Sequence, residues 1–140
     1  MPPVLSDDEA RLLDTGGDCW ALRQRYAHAL EHLIEQDSAR RHIEARLAEL
    51  DRLAERLERA IRERNLLPRQ ADPDLEDLRE LGDTVRHWLG AEATCHLLAA
   101  FAEEERELAE RLAALPDERF GHAAADARGS CRRLQQLADG

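Results

Sequence analysis

The stretch that decides the fold reads HIEARLAELDRLAERLERAIR over residues 42–62. Its apolar residues recur at alternating intervals of four and three, which is typical of one face of an α-helix. We predict that the following residues form a buried seam on one long helix: Ile43, Leu47, Leu50, Ala54, Leu57 and Ile61. Arginine and glutamate occupy most of the other positions. Because an apolar stripe on a lone helix is unstable in water, the pattern predicts packing against other helices or against a second copy of the chain.

Caps and breakers divide the first half of the chain into helices. Ser6, followed three residues later by Glu9, is a capping-box pattern that opens a short N-terminal helix. The pair Gly16-Gly17 interrupts this helix, and Asp18 can cap the next one, which runs to about residue 36. The long helix then covers about residues 39–65. The buried face of the helix after Asp18 is expected to consist of Cys19, Leu22, Tyr26, Ala29 and Leu33.

The second half of the chain shows the same helical period. Asp72-Pro73-Asp74 combines a cap, a first-turn proline and acids at the positive end of the helix dipole, so it predicts a helix to about residue 89. A last helical segment covers about residues 91–138 and is broken at Pro116. Its buried positions are expected at Leu98, Phe101, Glu105, Leu108, Leu112 and Leu115, and then at Phe120, Ala123, Ala127, Cys131, Leu134 and Ala138.

The predicted fold class follows from these segments. No stretch alternates apolar and polar residues convincingly, so we expect no sheet. The length of 140 residues suits one domain, with enough buried surface for a self-sufficient core. The sequence therefore predicts an all-α protein: a single domain over residues 1–140, built as an antiparallel four-helix bundle with a short N-terminal helix.

Charge is distributed unevenly along the chain. The formal net charge is −10, and all 20 basic residues are arginine. Residues 1–37 carry a net charge of −5, residues 38–69 of +3 and residues 70–140 of −8. A positive helix between two acidic regions favours pairing within the chain or within a dimer. It argues against nucleic-acid binding, which needs a basic face and usually stacking aromatic residues.

Compartment and membrane association can also be addressed from composition. The N-terminal residues lack the basic and apolar regions of a signal peptide, and the longest apolar stretch, Leu97–Ala102, is too short to span a bilayer. Cys19, Cys95 and Cys131 show no CxxC spacing, which fits reduced thiols; we expect Cys19 and Cys131 to pack as small buried hydrophobes. We therefore expect a cytoplasmic protein with no membrane partner.

Glu105 breaks the apolar pattern. It falls between Phe101 and Leu108, at a position where an apolar residue is expected. A carboxylate there must be paired, hydrogen-bonded, protonated or metal-bound, unless it points partly to solvent. One hypothesis is a metal or proton-handling role. We predict instead that an arginine of the long helix holds Glu105, because that helix lies in the only net-positive segment of the chain.

His28 and His32 form a second candidate site. They lie four residues apart on one helical face, and Glu35 follows three residues later. Two imidazoles at this spacing can hold zinc, and Glu35 could complete the set of ligands. The alternative interpretation is an exposed polar face. The chain shows no catalytic triad, phosphate-binding loop or cofactor fingerprint, which favours a non-catalytic protein.

Three motifs and the helix order resemble small bacterial ferritin-like proteins of unassigned function. The motifs are Tyr26-Ala-His-Ala-Leu-Glu-His32, Glu103-Glu104-Glu105-Arg-Glu-Leu108 and Leu115-Pro-Asp-Glu118. In metal-binding proteins of this fold, inward-pointing Glu and Glu-x-x-His residues hold the metal, which makes Glu104 and Glu105 candidates. The chain departs from that pattern. Arg23 and Gln24 stand where the first-helix glutamate is expected, Cys131 stands where a histidine is expected, and Glu-x-x-His does not occur. The resemblance therefore implies the fold without an intact dinuclear site.

Two functional hypotheses remain. The first is a non-catalytic helical bundle that acts through self-association or protein–protein interaction, as a homo-oligomer and most simply a dimer, with no cofactor expected. The second is a ferritin-like protein that handles iron at a carboxylate site between helices, where iron or zinc would be the bound metal.

Overall fold

The computed structural model describes residues 5–68 and 91–140, and these residues are all-α, with no strand among them. They form four α-helices: α1 (Asp7–His32), α2 (Asp37–Glu63), α3 (Ala91–Ala114) and α4 (Gly121–Asp139). A short 3₁₀ helix, Glu118–Phe120, precedes α4. The all-α fold class is confirmed. The predicted helix that starts at Asp72-Pro73-Asp74 lies outside the described residues.

Helix α1 is continuous, so the prediction of a short N-terminal helix that breaks at Gly16-Gly17 is wrong. The predicted capping box is confirmed: the Glu9 amide donates to Ser6 Oγ (3.1 Å), and the Ser6 amide donates to Glu9 Oε1 (3.2 Å). A helical glycine costs roughly 0.5–1 kcal/mol relative to alanine. Packing overrides this cost at Gly16, because a Cβ atom there would lie 3.1 Å from Ile61 Cδ1 of α2.

The connection from α1 to α2 is short, and carbonyl groups within it are hydrogen-bonded by a side chain of α2. Helix α1 ends at His32 rather than at about residue 36, and the buried side chain near its end is Ile34 rather than Leu33. Arg40 at the start of α2 donates from Nη1 to the carbonyl oxygens of Leu30 and Ile34, each at 2.7 Å. These bonds satisfy carbonyl groups that the end of a helix otherwise leaves without a partner.

The C-terminal end of α2 agrees with the sequence. Asn65 adopts a positive φ of 60° just after the helix. The Asn65 amide donates to the Arg62 carbonyl (2.9 Å), and the Leu66 amide donates to the Ile61 carbonyl (3.2 Å). This is a Schellman motif, in which the left-handed residue reverses the chain and satisfies the last carbonyl groups.

The buried face of α2 differs from the predicted seam at two positions. Leu47 and Ala54 are only half-buried, whereas Arg46 and Leu53 are buried. The full buried set is Ala39, Ile43, Arg46, Leu50, Leu53, Leu57, Ala60 and Ile61. This set also has a helical period, but it lies on a slightly rotated face, which places the Arg46 side chain toward Glu105 of α3. Leu47 and Ala54 consequently lie at the edge of the contact with α1.

The predicted buried faces of α3 and α4 are largely confirmed. All six predicted positions in the first of these segments are buried, including Glu105. In the last segment only Ala138 is half-buried rather than buried. Asp117 begins this last segment, because its carboxylate accepts from the Arg119 amide (2.9 Å).

Two helix pairs make up the described residues. In the first pair, Gly16 of α1 lies against Ile61 of α2, Arg23 lies against Asp51 and Leu30 lies against Arg40. Residue numbers rise along α1 as they fall along α2, so these helices run in opposite directions. The second pair is α3–α4, which packs closely. The two pairs meet through α1 against α3 and α2 against α4, around one core cluster to which every helix contributes.

Candidate functional site

A group of polar side chains lies inside the apolar core. We call it the central polar cluster, and it consists of Tyr26 of α1, His42 and Arg46 of α2, Glu105 of α3 and Ser130 of α4. Every described α-helix contributes at least one member. Burying polar groups is costly unless they are hydrogen-bonded or paired, so the contacts within the cluster decide what it can do.

Arg46 and Glu105 form a bidentate ion pair. Arg46 Nε donates to Glu105 Oε2 (2.7 Å), and Arg46 Nη2 donates to Glu105 Oε1 (3.0 Å). The side chain of Glu105 is 0% exposed and that of Arg46 is 3% exposed. Arg46 Nη1 also donates to Glu49 Oε2 (3.0 Å), whose carboxylate reaches solvent. The prediction that an arginine of the long helix holds Glu105 is confirmed.

The charge state of the pair is set by its own geometry. Burial lowers the pKa of Arg46, but the hydrogen bonds and the charge of Glu105 raise it by more, so the pKa lies above its ordinary value. The guanidinium therefore stays charged at any accessible pH. Both carboxylate oxygens of Glu105 accept from this guanidinium, which occupies one lone pair on each oxygen and compensates the negative charge.

Tyr26 lies beside the ion pair without forming a hydrogen bond to any of the described residues. Its hydroxyl oxygen is buried near Glu105 and Ser130, but it meets hydrogen-bond geometry with neither. Burial, and secondarily the negative charge of Glu105, raises the pKa of Tyr26 well above its ordinary value. The ring packs edge-on against Phe101, with the ring centroids 4.7 Å apart. Tyr26 thus stays protonated and acts as a packing residue.

His42 and Ser130 link α2 to α4. His42 Nε2 and Ser130 Oγ are 2.9 Å apart. Burial lowers the pKa of His42, so the neutral ring is favoured. A histidine beside a serine hydroxyl is part of the arrangement that activates a nucleophile. Ser130 is almost fully buried and lines neither of the surface grooves described below, and we assign the contact a structural role.

Cys19 and Cys131 are buried as predicted, whereas Cys95 of α3 is half-buried. Cys19 and Cys131 both belong to the core, and Cys19 Sγ lies 3.7 Å from the carbonyl oxygen of Leu50. Burial raises the pKa of Cys19 to about 12 and also raises that of Cys131. Since the thiolate is the reactive form, both thiols are protected from ordinary thiol chemistry.

The remaining metal candidates do not converge on Glu105. Glu104 forms an ion pair with Arg25. His28 and His32 face one another near the end of α1, with ring centroids 4.9 Å apart, and Glu35 lies beyond the helix in the connection to α2. Among residues 5–68 and 91–140, no three His, Cys, Asp or Glu side chains are grouped so as to hold a metal ion.

A partly apolar surface lies where α1 and α2 meet on the side away from the core. We call it the α1–α2 outer face. Two adjoining grooves of about 400 Å³ and about 320 Å³ run along it, and Trp20, Arg23 and Asp51 line both. Its partly exposed apolar members are Trp20, Ala27, Leu47 and Ala54, and the buried core residues Leu57 and Ile61 also line the larger groove.

The signal for this face was present in the sequence. Leu47 and Ala54 are seven residues apart in α2, and Trp20 and Ala27 have the same spacing in α1, so each helix carries a second, narrower apolar stripe. Leu47 and Ala54 belong to the predicted buried seam of α2 instead. The His42–Ser130 contact carried no comparable signal, because its members are 88 residues apart and are ordinary polar residues.

Comparison with known proteins does not assign a function to these residues. None of the helices within the described ranges is both long enough and apolar enough to cross a membrane. No protein-family model, no curated protein and no solved structure matches the chain, so the ferritin-like resemblance of its sequence stays a prediction.

Proposed function

We propose that the protein is a non-catalytic helical bundle that acts by associating with a second copy of itself through the α1–α2 outer face. The observation that supports this most directly is Trp20, a large aromatic side chain that is half-buried, lines both grooves and carries the Arg23 guanidinium over its ring (4.9 Å). Aromatic residues in partly exposed apolar grooves are typical anchors of protein interfaces.

The charges around the grooves favour a second copy as the partner. The larger groove is lined by three acids, Asp51, Glu55 and Glu58, against one base, Arg23. Residues 38–69, which contain α2, carry a net charge of +3, so α2 of a second copy brings an excess of arginine toward these acids. Arg52 and Arg59 of α2 are exposed and form no ion pair within the described part of the chain. Complementary charge of this kind sets partner choice and orientation.

The chain's own residues 69–90 are the competing occupant, because Pro68, which lines the larger groove, directly precedes them. That segment has six acids against three arginines, a net charge of −3. Like charges across an interface are unfavourable. An acidic segment is therefore a poorer match for an acidic groove than the arginine-rich α2 of a second copy is.

The central polar cluster supports a structural role for the core rather than a reaction. Its charged members neutralise one another in a bidentate pair, and Tyr26 and Cys19 are held in their protonated forms. The inference of a non-catalytic role rests on these occupied groups. The interaction surface is then the feature of the molecule left to account for its function.

A matched pair of alanine substitutions tests the interface. Ala27 is exposed on the α1–α2 outer face, and Ala113 is exposed on α3. Ala27→Glu should abolish or strongly weaken dimers, whereas Ala113→Glu should not, as measured by sedimentation equilibrium over nanomolar to micromolar concentrations. Only monomer in the wild-type protein, or equal effects of the two substitutions, would overturn the proposal.

Fluorescence separates a second copy from the chain's own residues 69–90. The protein has two tryptophans, so Trp88→Phe leaves Trp20 as the only tryptophan whose emission is followed. If a second copy covers Trp20, its emission should shift to shorter wavelength as concentration rises, in step with the sedimentation data. A blue emission that does not change with concentration would instead assign the groove to the same chain.

A further inference from the structure

The end of α1 carries two histidine rings that face one another. His28 and His32 are one helical turn apart, with ring centroids 4.9 Å apart and ring planes tilted by 54°. The rings are therefore not stacked in parallel. Within the described residues the ring of His28 has no polar partner, and that of His32 has only Glu31, whose Oε2 lies 3.4 Å from Nε2.

We infer that His28 and His32 form a two-histidine binding site for a divalent transition-metal ion, with water in the remaining coordination positions. Zinc binds imidazole nitrogen at about 2.0–2.1 Å. Two rings that share one zinc ion have centroids roughly 5–6 Å apart on that bond length. The observed separation reaches this range with a small rotation of either side chain.

The surroundings of the pair favour a cation. His32 is in the last turn of α1, where the negative end of the helix dipole stabilises positive charge. Glu31 adds a carboxylate beside His32, and metal-binding histidines commonly have such a carboxylate next to them. Arg40 fixes the carbonyl groups at this helix end, so the last turn, and with it the spacing of the two rings, is kept in place.

The site differs from the one that the ferritin-like resemblance implied. It lies at one end of α1 and uses neither Glu104 nor Glu105, both of which are engaged by arginines. Imidazole ligands select zinc, copper, nickel and iron over magnesium or calcium. The expected ligand class is therefore a borderline-soft transition metal and not a hard oxygen-seeking cation.

Zinc titration of the intact, chelator-treated protein tests the site. Isothermal titration calorimetry should give one zinc ion per chain, and magnesium should not compete. His28→Ala and His32→Ala should each weaken zinc binding by about tenfold or more, because a helix holds the second imidazole at a high effective concentration. His122→Ala, which removes an exposed histidine of α4, is the matched control and should leave binding unchanged.

NMR of the histidine rings provides a readout that does not depend on affinity. Substoichiometric zinc should shift the ring resonances of His28 and His32 together and leave those of His122 in place. The Glu35→Gln variant should bind zinc as the wild type does, because Glu35 lies outside the helix. No zinc binding, an equal loss in the His122 variant, or shifts spread over all histidines would overturn the inference.

Discussion

Replacing Glu105 by leucine tests how the core is held together. Leucine is close to glutamate in size and completes the apolar face of α3, so on volume alone Glu105→Leu should stabilise the protein. It also leaves the charge of Arg46 buried, with Glu49 as its remaining ion-pair partner among residues 5–68 and 91–140. Removing one member of a buried pair costs about 3–5 kcal/mol. We expect a loss of about 3 kcal/mol, near the lower end of that range, because Glu49 keeps one hydrogen bond to the guanidinium.

The measurement is urea unfolding followed by circular dichroism at one fixed protein concentration, since association shifts apparent stability. A loss of about 3 kcal/mol lowers the urea midpoint by about 1–3 M for a typical dependence on denaturant. The double variant Arg46→Met/Glu105→Leu removes both charges and should recover most of this loss, because buried pairs are often replaceable by apolar residues.

A surface pair on the same helix provides the control. Glu103 and Arg106 are exposed and form an ion pair one turn apart, two residues before and one residue after Glu105. Glu103→Leu should leave the unfolding free energy nearly unchanged, since water solvates both of these charges. A Glu105→Leu variant as stable as the wild type, or more stable, would show that Glu105 does not hold Arg46 in the core.

Three further predictions concern other parts of the fold. Gly17→Ala should stabilise the protein by roughly 0.5–1 kcal/mol in urea unfolding. Gly16→Ala should stabilise it less, because the new Cβ atom would lie too close to Ile61 Cδ1. Equal stabilisation by the two substitutions would contradict this account of the packing. Cys19, whose pKa burial raises to about 12, should be alkylated at pH 8 only as fast as the protein unfolds, as followed by mass spectrometry; rapid labelling would show that the thiol is accessible. Burial lowers the pKa of His42. As pH falls below about 6.5, the unfolded chain therefore binds a proton at this residue before the folded protein does, and the free energy of unfolding decreases. This decrease should be less steep in His42→Asn than in the wild type.

The sequence predicted the parts of the fold that depend on local pattern. The cap at Ser6, the end of α2 near Asn65 and the break at Pro116 depend on residues close together in the chain, and all three are confirmed. The burial of Glu105 followed from the regular period of α3. Its pairing with an arginine of α2 followed from charge, because that segment alone is net positive.

The errors arose where a distant contact decides the outcome. Gly16 is helical because Ile61, 45 residues away, packs close to it, and a local reading of two glycines predicts a break instead. In α2 two interleaved sets of positions share the helical period. The set that includes Leu47 is more apolar, whereas the set that includes Arg46 is the buried one. The two sets can be told apart only when Glu105 is known to be the partner of Arg46.

The ion pair between α2 and α3 has a consequence for the order of folding. Arg46 belongs to the first helix pair and Glu105 to the second, so each charge stays hydrated until the two pairs come together. Contacts within each pair are local in the chain and can form early, as Arg40 already ties α1 to α2 across a short connection. Both charges then lose their hydration in the step in which the two helix pairs dock. We expect that step to limit the folding rate and to make each helix pair a separate unit in native-state hydrogen exchange.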